Sequence, residues 1–239
     1  VPLTRTPDAH FLTEVRYKGT KVVSVSPDYA ESTTSSDAWL NVKAGTDAAL
    51  AMAMGHVILK EYYIDKETPY FKEYAKEFTD MPFLVRVEDI NGAVQPGRFL
   101  NAKDLGRQEE GSDFQMVLID DITNEIVIPN GTMGERHTNP QKWNLRLENR
   151  DTGAKIDPRL SVFDQREDVT IVKLPYFGDE EHEGVIERAI PTITVQTADG
   201  PVKVTTVYDL ILANYGIDRG IGGEVAKAYT DDTPYTPTW

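Results

Sequence analysis

The sequence predicts an α/β protein in which a partial parallel, Rossmann-like sheet with helices is followed by a loop-rich antiparallel β insertion and a C-terminal helix. A helix pattern near the N-terminus is followed by two short strand patterns, an order typical of a parallel sheet. After residue 81 the chain changes to short strand-like runs separated by Gly-containing turns, and a helix pattern returns after residue 205. The predicted parts are therefore residues 1–80, 81–205 and 206–239.

The composition of the 239-residue chain excludes several classes of function. Its 39 acidic and 25 basic residues give a formal net charge of −14, so we expect no nucleic-acid partner, because such binders gain affinity from clustered cations. The absence of cysteine excludes disulfides, a thiol nucleophile and thiolate ligands to an iron–sulfur cluster. No apolar run approaches the ~20 residues of a membrane span, so we expect no direct membrane insertion. The chain begins at Val1, and we interpret it as an internal fragment of a longer protein.

The first helix and the two strands that follow it have clear local signals. A helix is predicted over residues 7–17, because Thr6 can cap it and Pro7 suits its first position. Residues 21–26 are rich in β-branched side chains and end at Pro27, which predicts a strand followed by a loop. Residues 38–42 are predicted as a second short strand.

Two further helices are predicted before residue 80. Residues 48–59 are almost all apolar or small, so this helix is expected to be buried on most sides, with Thr46 as its N-cap. An amphipathic helix is predicted over residues 68–78. Its aromatic face contains Tyr70, Phe71, Tyr74 and Phe78.

The remainder of the chain is predicted to be mainly antiparallel β structure. The predicted strands are residues 83–87, 115–119, 125–128 and 192–195. The predicted turns are Asn91-Gly92, Asn130-Gly131, Thr152-Gly153 and Asp199-Gly200. Residues 207–216 are predicted as a helix that ends at Gly216.

Two places in the first part are candidate ligand sites. Asp47 lies at the predicted start of the apolar helix, where free N–H groups favour acceptor-rich ligands and where a carboxylate can accept two parallel hydrogen bonds from a guanine edge. The alternative is that Asp47 only complements the helix dipole. Ser26 and Asp28 follow the first strand, a position that commonly meets a ribose in doubly wound sheets. The alternative there is ordinary turn chemistry.

Other motifs are weaker. Residues 179–183 form an acidic run that could hold a divalent ion, although such solvated runs usually form no defined cage. The four histidines are too far apart in sequence to indicate a zinc site, and His56 is interpreted as a hydrogen-bonded core residue. The glycine-rich residues 220–223 follow a helix rather than a strand, so they are not a dinucleotide loop.

Four segments carry a more specific pattern. They are residues 4–11 (TRTPDAHF), 15–21 (VRYKGTK), 45–57 (GTDAALAMAMGHV) and 204–210 (VTTVYDL). Together they closely resemble the molybdopterin oxidoreductase (DMSO reductase) family and, more narrowly, the catalytic alpha subunits of respiratory membrane-bound nitrate reductases. The resemblance spans the whole chain and is densest in the first sixty residues and near residues 204–216.

The resemblance implies an oxidoreductase that reduces nitrate to nitrite in anaerobic respiration. Its cofactors would be molybdenum bis(molybdopterin guanine dinucleotide) and a 4Fe-4S cluster, whose ligands lie outside this fragment. Its partners would be an iron–sulfur beta subunit and a haem-containing membrane subunit, which place the enzyme in the cytoplasm on the inner face of the cell membrane. The fragment alone would be inactive.

The resemblance also assigns the guanosine diphosphate part of one dinucleotide to three segments in residues 1–80. Matched position by position, the cofactor-binding residues would be Thr4, Arg5, Thr6, Ser26, Pro27, Asp28, Gly45, Thr46 and Asp47. No catalytic residue and no metal ligand is assigned to this chain. Many relatives have Asp-Pro-Arg where this chain has Ser26-Pro27-Asp28, so the resemblance supports the ribose contact less strongly than the guanine contact.

Two alternative functions remain open from the sequence. The same slice of a chlorate or selenate reductase would look similar here. A different class of protein, a free-standing non-catalytic nucleotide-binding or interaction module, would also contain an α/β part of this kind.

Overall fold

The computed structural model describes residues 6–31, 33–131, 146–175 and 184–222. Contacts between Cα atoms divide the chain into two compact units, Val1–Met52 and Ala53–Trp239. We call them the first unit and the second unit. The predicted boundaries at residues 80 and 205 stay a prediction.

The structure contains four described α-helices and eleven described strands. The helices are α1 (Thr6–Tyr17), α2 (Asp47–Ile58), α3 (Pro69–Phe78) and α4 (Val207–Asn214), with a π-helix at Leu59–Asp65 and a 3₁₀ turn at Ser112–Phe114. The first strands are β1 (Val23–Ser26), β2 (Ala38–Asn41), β3 (Leu84–Ile90), β4 (Ala93–Phe99), β5 (Leu118–Ile119) and β6 (Ile126–Val127). The others are β7 (Pro129–Asn130), β8 (Arg146–Asn149), β9 (Asp168–Pro175), β10 (Val185–Thr197) and β11 (Gly200–Thr206). The predicted α/β fold class is confirmed, and no described helix has both the length and the apolar character of a membrane span.

The first unit contains a two-stranded parallel sheet. Strand β1 pairs with β2 in a register that places Val23 opposite Ala38 and Ser26 opposite Asn41. Helix α1 precedes the sheet and ends before Gly19, whose φ of 90° is readily adopted only by glycine. The predicted helix over residues 7–17 and the two predicted strands are confirmed within a few residues.

Helix α2 is confirmed, but its predicted burial is wrong. Met54 and Ile58 are 56% and 43% exposed, and His56 is the buried residue of this helix. An apolar sequence indicates that a helix can be buried on most sides, but it does not supply the residues that cover it. Among the described residues of α2, the buried side chain is that of His56. The ring nitrogen Nδ1 of His56 donates a hydrogen bond to the carbonyl oxygen of Tyr215 at 2.7 Å, which confirms the core interpretation.

Helix α3 begins after Thr68 and has Pro69 at its first position, as the sequence predicts. Its aromatic face divides into two parts. Phe71 packs against a buried cluster that includes Tyr63, with ring centroids 5.4 Å apart. The other aromatic residues of that face, Tyr70, Tyr74 and Phe78, are exposed.

The main sheet of the second unit is antiparallel, with the strand order β4-β3-β11-β10-β9. Strand β10 has 13 residues and pairs with β9 through its first part and with β11 through its last part. The turn between β3 and β4 consists of Asn91 and Gly92, with φ angles of 57° and 82°, which fits the predicted two-residue hairpin. The predicted antiparallel insertion is therefore confirmed.

Buried apolar side chains from the strands form the largest core of the second unit. Leu84, Leu100, Val117 and Val204 are fully buried in it. A second cluster joins the π-helix, α3 and α4 through residues such as Leu59, Tyr208 and Leu212. Strands, helices and the segments between them thus all contribute to the buried clusters of this unit.

Helix α4 is held by a buried carboxylate. The backbone N–H of Asp209 donates to Oγ1 of Thr206, the N-cap residue, at 3.1 Å, while Asp209 Oδ2 accepts from the same hydroxyl at 2.8 Å. Asp209 is fully buried and pairs with Arg219 at 2.6 Å. The helix ends before Gly216, which has a φ of 71°, as predicted.

Candidate functional site

The carboxyl ends of β1 and β2 lie at the same edge of the parallel sheet. The register that places Ser26 opposite Asn41 brings the loop after β1 and the segment that leads to α2 to this edge. In open parallel sheets, ligands bind at the carboxyl ends of the strands. We call this edge of the first unit the carboxyl edge.

The loop after β1 is fixed by its own hydrogen bond and by an aromatic pair. The hydroxyl of Ser26 donates to the carbonyl oxygen of Asp28 at 2.5 Å, as in ordinary turn chemistry. The indole N–H of Trp39 donates to the carbonyl oxygen of Ser26 at 3.0 Å, and its ring meets that of Tyr29 edge-to-face at 5.3 Å. Pro27 and the side chain of Asp28 are exposed, and within the described residues no group forms a side-chain hydrogen bond or an ion pair with the carboxylate of Asp28.

The segment before α2 is a tight turn that ends at the helix start. Gly45 has a φ of 83°, which strains any residue with a Cβ. The backbone N–H and the hydroxyl of Thr46 both donate to the carbonyl oxygen of Lys43, at 3.1 and 2.6 Å. The N–H of Leu50 donates to the carbonyl oxygen of Thr46 at 3.1 Å, so Thr46 occupies the predicted N-cap position.

Asp47 is the first residue of α2. Its side chain is exposed and, among the residues that the structure describes, no group forms an ion pair or a side-chain hydrogen bond with its carboxylate. The side chain therefore stands in the first turn of a 12-residue helix with its hydrogen-bonding capacity available.

Asp37 lies at the opposite end of the same sheet, where β1 and β2 begin. Its carboxylate accepts a hydrogen bond from the backbone N–H of Val22 at 2.8 Å, and Arg16 and Lys21 lie 3.6 and 3.7 Å from it. The hydrogen bond from Val22 and the charge of Arg16 hold the pKa of Asp37 below its usual value, although partial burial opposes this. The amino ends of β1 and β2 are thereby tied together, which supports the parallel register at the carboxyl edge.

The remaining predicted site residues precede the sheet. Thr4 and Arg5 lie outside the described residues, and Thr6 is the first residue of α1. The strand pairing places residues 26–28 at the carboxyl edge, and residues 45–47 follow the end of β2 by four to six residues. Sequence reasoning missed Trp39, whose indole orients the loop after β1. A tryptophan inside a four-residue strand was the available signal.

No group of three or more His, Asp or Glu side chains suited to a metal ion occurs in the described parts of the chain. The acidic run at residues 179–183 lies outside those parts, as do His137 and His182. Chemically, the carboxyl edge offers carboxylate acceptors and the backbone N–H groups of a helix start. Groups of these kinds are suited to a ligand that has both a donor edge and an anionic part.

Comparison with known proteins identifies the family. Residues 2–209 match the family model of the molybdopterin oxidoreductases. The chain is 51% identical over its full length to the nitrate reductase alpha chain of Bacillus subtilis (strain 168), covering 19% of that protein. It is 45% identical over its full length to the respiratory nitrate reductase 1 alpha chain of Escherichia coli (strain K12), covering 20% of it.

A chlorate reductase subunit gives a weaker match. The chlorate reductase subunit alpha of Ideonella dechloratans is 37% identical over 56% of this chain, which covers 13% of that protein. The chain thus spans about a fifth of the length of the nitrate reductase relatives. The family match covers most of the chain, and two full-length alignments with nitrate reductase alpha chains agree with it. The chain therefore belongs to the molybdopterin oxidoreductase family.

Proposed function

We propose that this chain is part of the catalytic alpha subunit of a molybdenum-dependent nitrate reductase, and that its carboxyl edge binds the guanosine diphosphate end of a molybdopterin guanine dinucleotide. The exposed carboxylate of Asp47 at the start of α2 is the observation on which the binding role depends. Membership of the family implies a molybdenum–pterin cofactor. The dinucleotide form, the substrate and the binding residues belong to the proposal.

The side chain of Asp47 fits a guanine base. Guanine presents an N–H and an amino group side by side, and a carboxylate accepts two such parallel hydrogen bonds. Asp47 is exposed and has no competing partner among the described residues, so binding would not first require an ion pair to break. The partial positive charge at the start of α2 complements the negative charge of the carboxylate.

The neighbouring backbone fits the rest of the nucleotide. The first N–H groups of a helix attract phosphate oxygens, and Gly45 and Thr46 lead directly into the first turn of α2. The hydroxyl of Ser26 is already bonded to Asp28, so we assign the ribose contact to the carboxylate of Asp28, with Ser26 and Pro27 shaping the loop. Thr4, Arg5 and Thr6 are proposed as further cofactor-binding residues on the resemblance alone.

When bound, the molybdenum–pterin group supplies the redox chemistry, and this chain holds and orients its nucleotide end. Because the chain has no cysteine, we assign the ligands of the 4Fe-4S cluster to other parts of the subunit. An iron–sulfur beta subunit and a haem-containing membrane subunit are the proposed electron-transfer partners, on the cytoplasmic side of the membrane. The chain alone is proposed to be inactive.

Replacing Asp47 with Asn in the full-length alpha subunit tests the binding role. The amide offers one acceptor oxygen and one donor in place of two acceptors, so the paired contact with guanine is lost. We expect the molybdenum content and the acid-released guanine content of the purified subunit to fall together by at least about fivefold, which is a loss of roughly 1 kcal/mol. Metal analysis and chromatography of the released nucleotide measure the two contents.

Asp199→Asn is the matched control, because Asp199 is exposed in the turn between β10 and β11. This variant should contain as much molybdenum and guanine as the parent. Parental cofactor content in the Asp47→Asn subunit would overturn the binding role.

Nitrate is favoured over chlorate by the extent of the matches. Identity with the nitrate reductase alpha chains extends over the whole chain, whereas the match with the chlorate reductase subunit covers 56% of it. The comparison of kcat/KM for nitrate and chlorate in the assembled enzyme decides between the two substrates.

A further inference from the structure

The second unit contains a cavity that the proposed function does not use. Its volume is about 510 Å³, within the range of roughly 300–1,000 Å³ that is typical of small-molecule sites. The walls come from the π-helix, from α3 and α4, and from the loops around residues 159–165 and 218–219. Leu160, Ile64 and Phe163 supply apolar wall surface.

Two buried tyrosines give the cavity a polar feature. Tyr63 and Tyr208 are 8% and 5% exposed, both line the cavity, and their ring centroids are 6.0 Å apart. No described residue forms a hydrogen bond with either hydroxyl. Burial raises the pKa of both phenols above the usual value, so both stay protonated and able to donate. Neither hydroxyl oxygen is among the fully enclosed side-chain atoms that lack a partner. Both oxygens therefore reach accessible space, where an acceptor atom in the cavity would provide a partner.

The cations around the cavity do not make it an anion site, because each is already paired with a carboxylate. The pairs are Lys72–Glu67 at 2.8 Å, Lys76–Asp157 at 2.5 Å, Arg159–Asp121 at 2.5 Å and Arg219–Asp209 at 2.6 Å. The carboxylates of Asp164 and Asp218 also line the wall. A ligand with a net negative charge would lose its hydration without gaining an unpaired cation, so the charges disfavour an anionic ligand.

The aromatic rings in the wall favour an aromatic ligand body. The guanidinium groups of Arg219 and Arg166 lie 4.9 and 4.4 Å from the centroid of Phe163, which holds that ring in place. The rings of Tyr63 and Tyr208 add two more aromatic surfaces. Aromatic rings pack against such surfaces through offset or edge-to-face contacts.

We infer that this cavity binds a neutral aromatic small molecule whose carbonyl oxygen accepts hydrogen bonds from the hydroxyls of Tyr63 and Tyr208. The inference does not depend on the proposed function, because every residue that carries it belongs to the second unit.

Benzamide is the probe, because it combines an aromatic ring with a carbonyl group and has no charge. Saturation-transfer NMR and isothermal titration with the full-length alpha subunit should show saturable binding. Tyr63→Phe and Tyr208→Phe keep both rings and remove one donor each, so each should weaken binding about 2- to 10-fold. Tyr70→Phe is the matched control, because Tyr70 is an exposed tyrosine of α3 outside the cavity wall, and it should leave the affinity unchanged.

Benzoate has the same shape as benzamide but carries a negative charge, and it should bind at least about fivefold more weakly. Thermal unfolding of the parent and of both Phe variants, followed by circular dichroism, shows that the fold is kept. In folded proteins, three results would each overturn the inference: no saturable benzamide binding, parental affinity in both cavity variants, or tighter binding of benzoate than of benzamide.

Discussion

The two units of this chain differ in how completely their apolar side chains are buried. In the second unit, the described buried apolar side chains form four clusters, the largest of which includes Leu84 and Val204. In the first unit, Val25 and Leu40 lie at the centre of the only described sheet and are still 47% and 45% exposed. Thr33 is the one residue in the described part of the first unit that is classed as buried.

The difference follows from the two kinds of sheet. An antiparallel sheet can be stable with one face buried, whereas parallel strands are normally covered on both faces by helices and further strands. The apolar side chains of β1 and β2 fit a buried parallel sheet, but this chain leaves them half exposed. The unit that contains the proposed nucleotide-binding residues is therefore expected to depend on more polypeptide for its stability than the second unit does.

The largest expected effect tests this difference directly. Leu84→Ala should destabilise the second unit by about 2–5 kcal/mol, because it removes a fully buried side chain and leaves a cavity. Leu40→Ala should cost about 0.5 kcal/mol or less, because nearly half of that side chain is already in water. Hydrogen exchange measured separately for β3 and for β1 reports the stability of each unit.

The parent chain provides the reference for that measurement. Its β1 amides should exchange through openings of lower free energy than its β3 amides. Equal protection of the two strands, or equal costs of the two substitutions, would show that the first unit is as well packed as the second.

An intermediate effect concerns acid stability. Burial alone would raise the pKa of Asp104, but hydrogen bonds from Arg98 at 2.5 Å and from the N–H of Asn101 at 3.0 Å, with the charge of Arg86, lower it. The folded state therefore binds this proton less readily than the unfolded chain. The stabilising contribution of Asp104 should be complete above pH ~4, the unfolded value, and be lost as the pH falls through the lower folded value.

Asp37 should likewise stabilise the first unit and lose that contribution as the pH falls, but the loss should be smaller than for Asp104. Its neighbouring cations are 3.6 and 3.7 Å away and reach solvent, so salt should screen them. The free energy of unfolding, measured with urea between pH 6 and pH 2.5, should depend less on pH in Asp104→Asn than in the parent chain. Fluorescence of Trp39, in a variant with Trp143→Phe and Trp239→Phe, follows the first unit. An unchanged acid profile in Asp104→Asn would contradict the role of that carboxylate.

The sequence was most informative where the local signal was strong. Helices α1, α3 and α4 have a cap, an early proline or a terminal glycine, and all were predicted. Strand β4 was missed because it contains Pro96 and Gly97, which disfavour interior strands but are tolerated here at the edge of the sheet. The π-helix that continues α2 has no comparable local signal.

The candidate site was predictable only in part. The order of helix and strands predicted which loops follow β1 and β2, but the register that aligns Ser26 with Asn41 depends on pairing across 15 residues. The orienting role of Trp39 likewise arises from a contact across β1 and β2. The burial of α2 was wrong because composition does not specify which polypeptide covers a helix.

Two glycines with nearly the same backbone conformation allow a further comparison. Gly45 and Gly92 have φ angles of 83° and 82°, and a Cβ added to either would meet no atom within 4 Å. Substitution by Ala should therefore cost about 1–2 kcal/mol of backbone strain at each position. In Gly92→Ala this should lower the Tm of the second unit by a few degrees. In Gly45→Ala it should leave that Tm unchanged and reduce the guanine content of the full-length subunit.

Gly19→Ala separates strain from ligand binding within the first unit. Gly19 has a φ of 90° and an equally open Cβ position, but it precedes β1 and so lies away from the carboxyl edge. If Gly45 matters because it shapes the start of α2, only Gly45→Ala should lower the guanine content. An equal loss in Gly19→Ala would mean that cofactor content follows the stability of the whole first unit, and the turn before α2 would then have no particular part in holding the nucleotide.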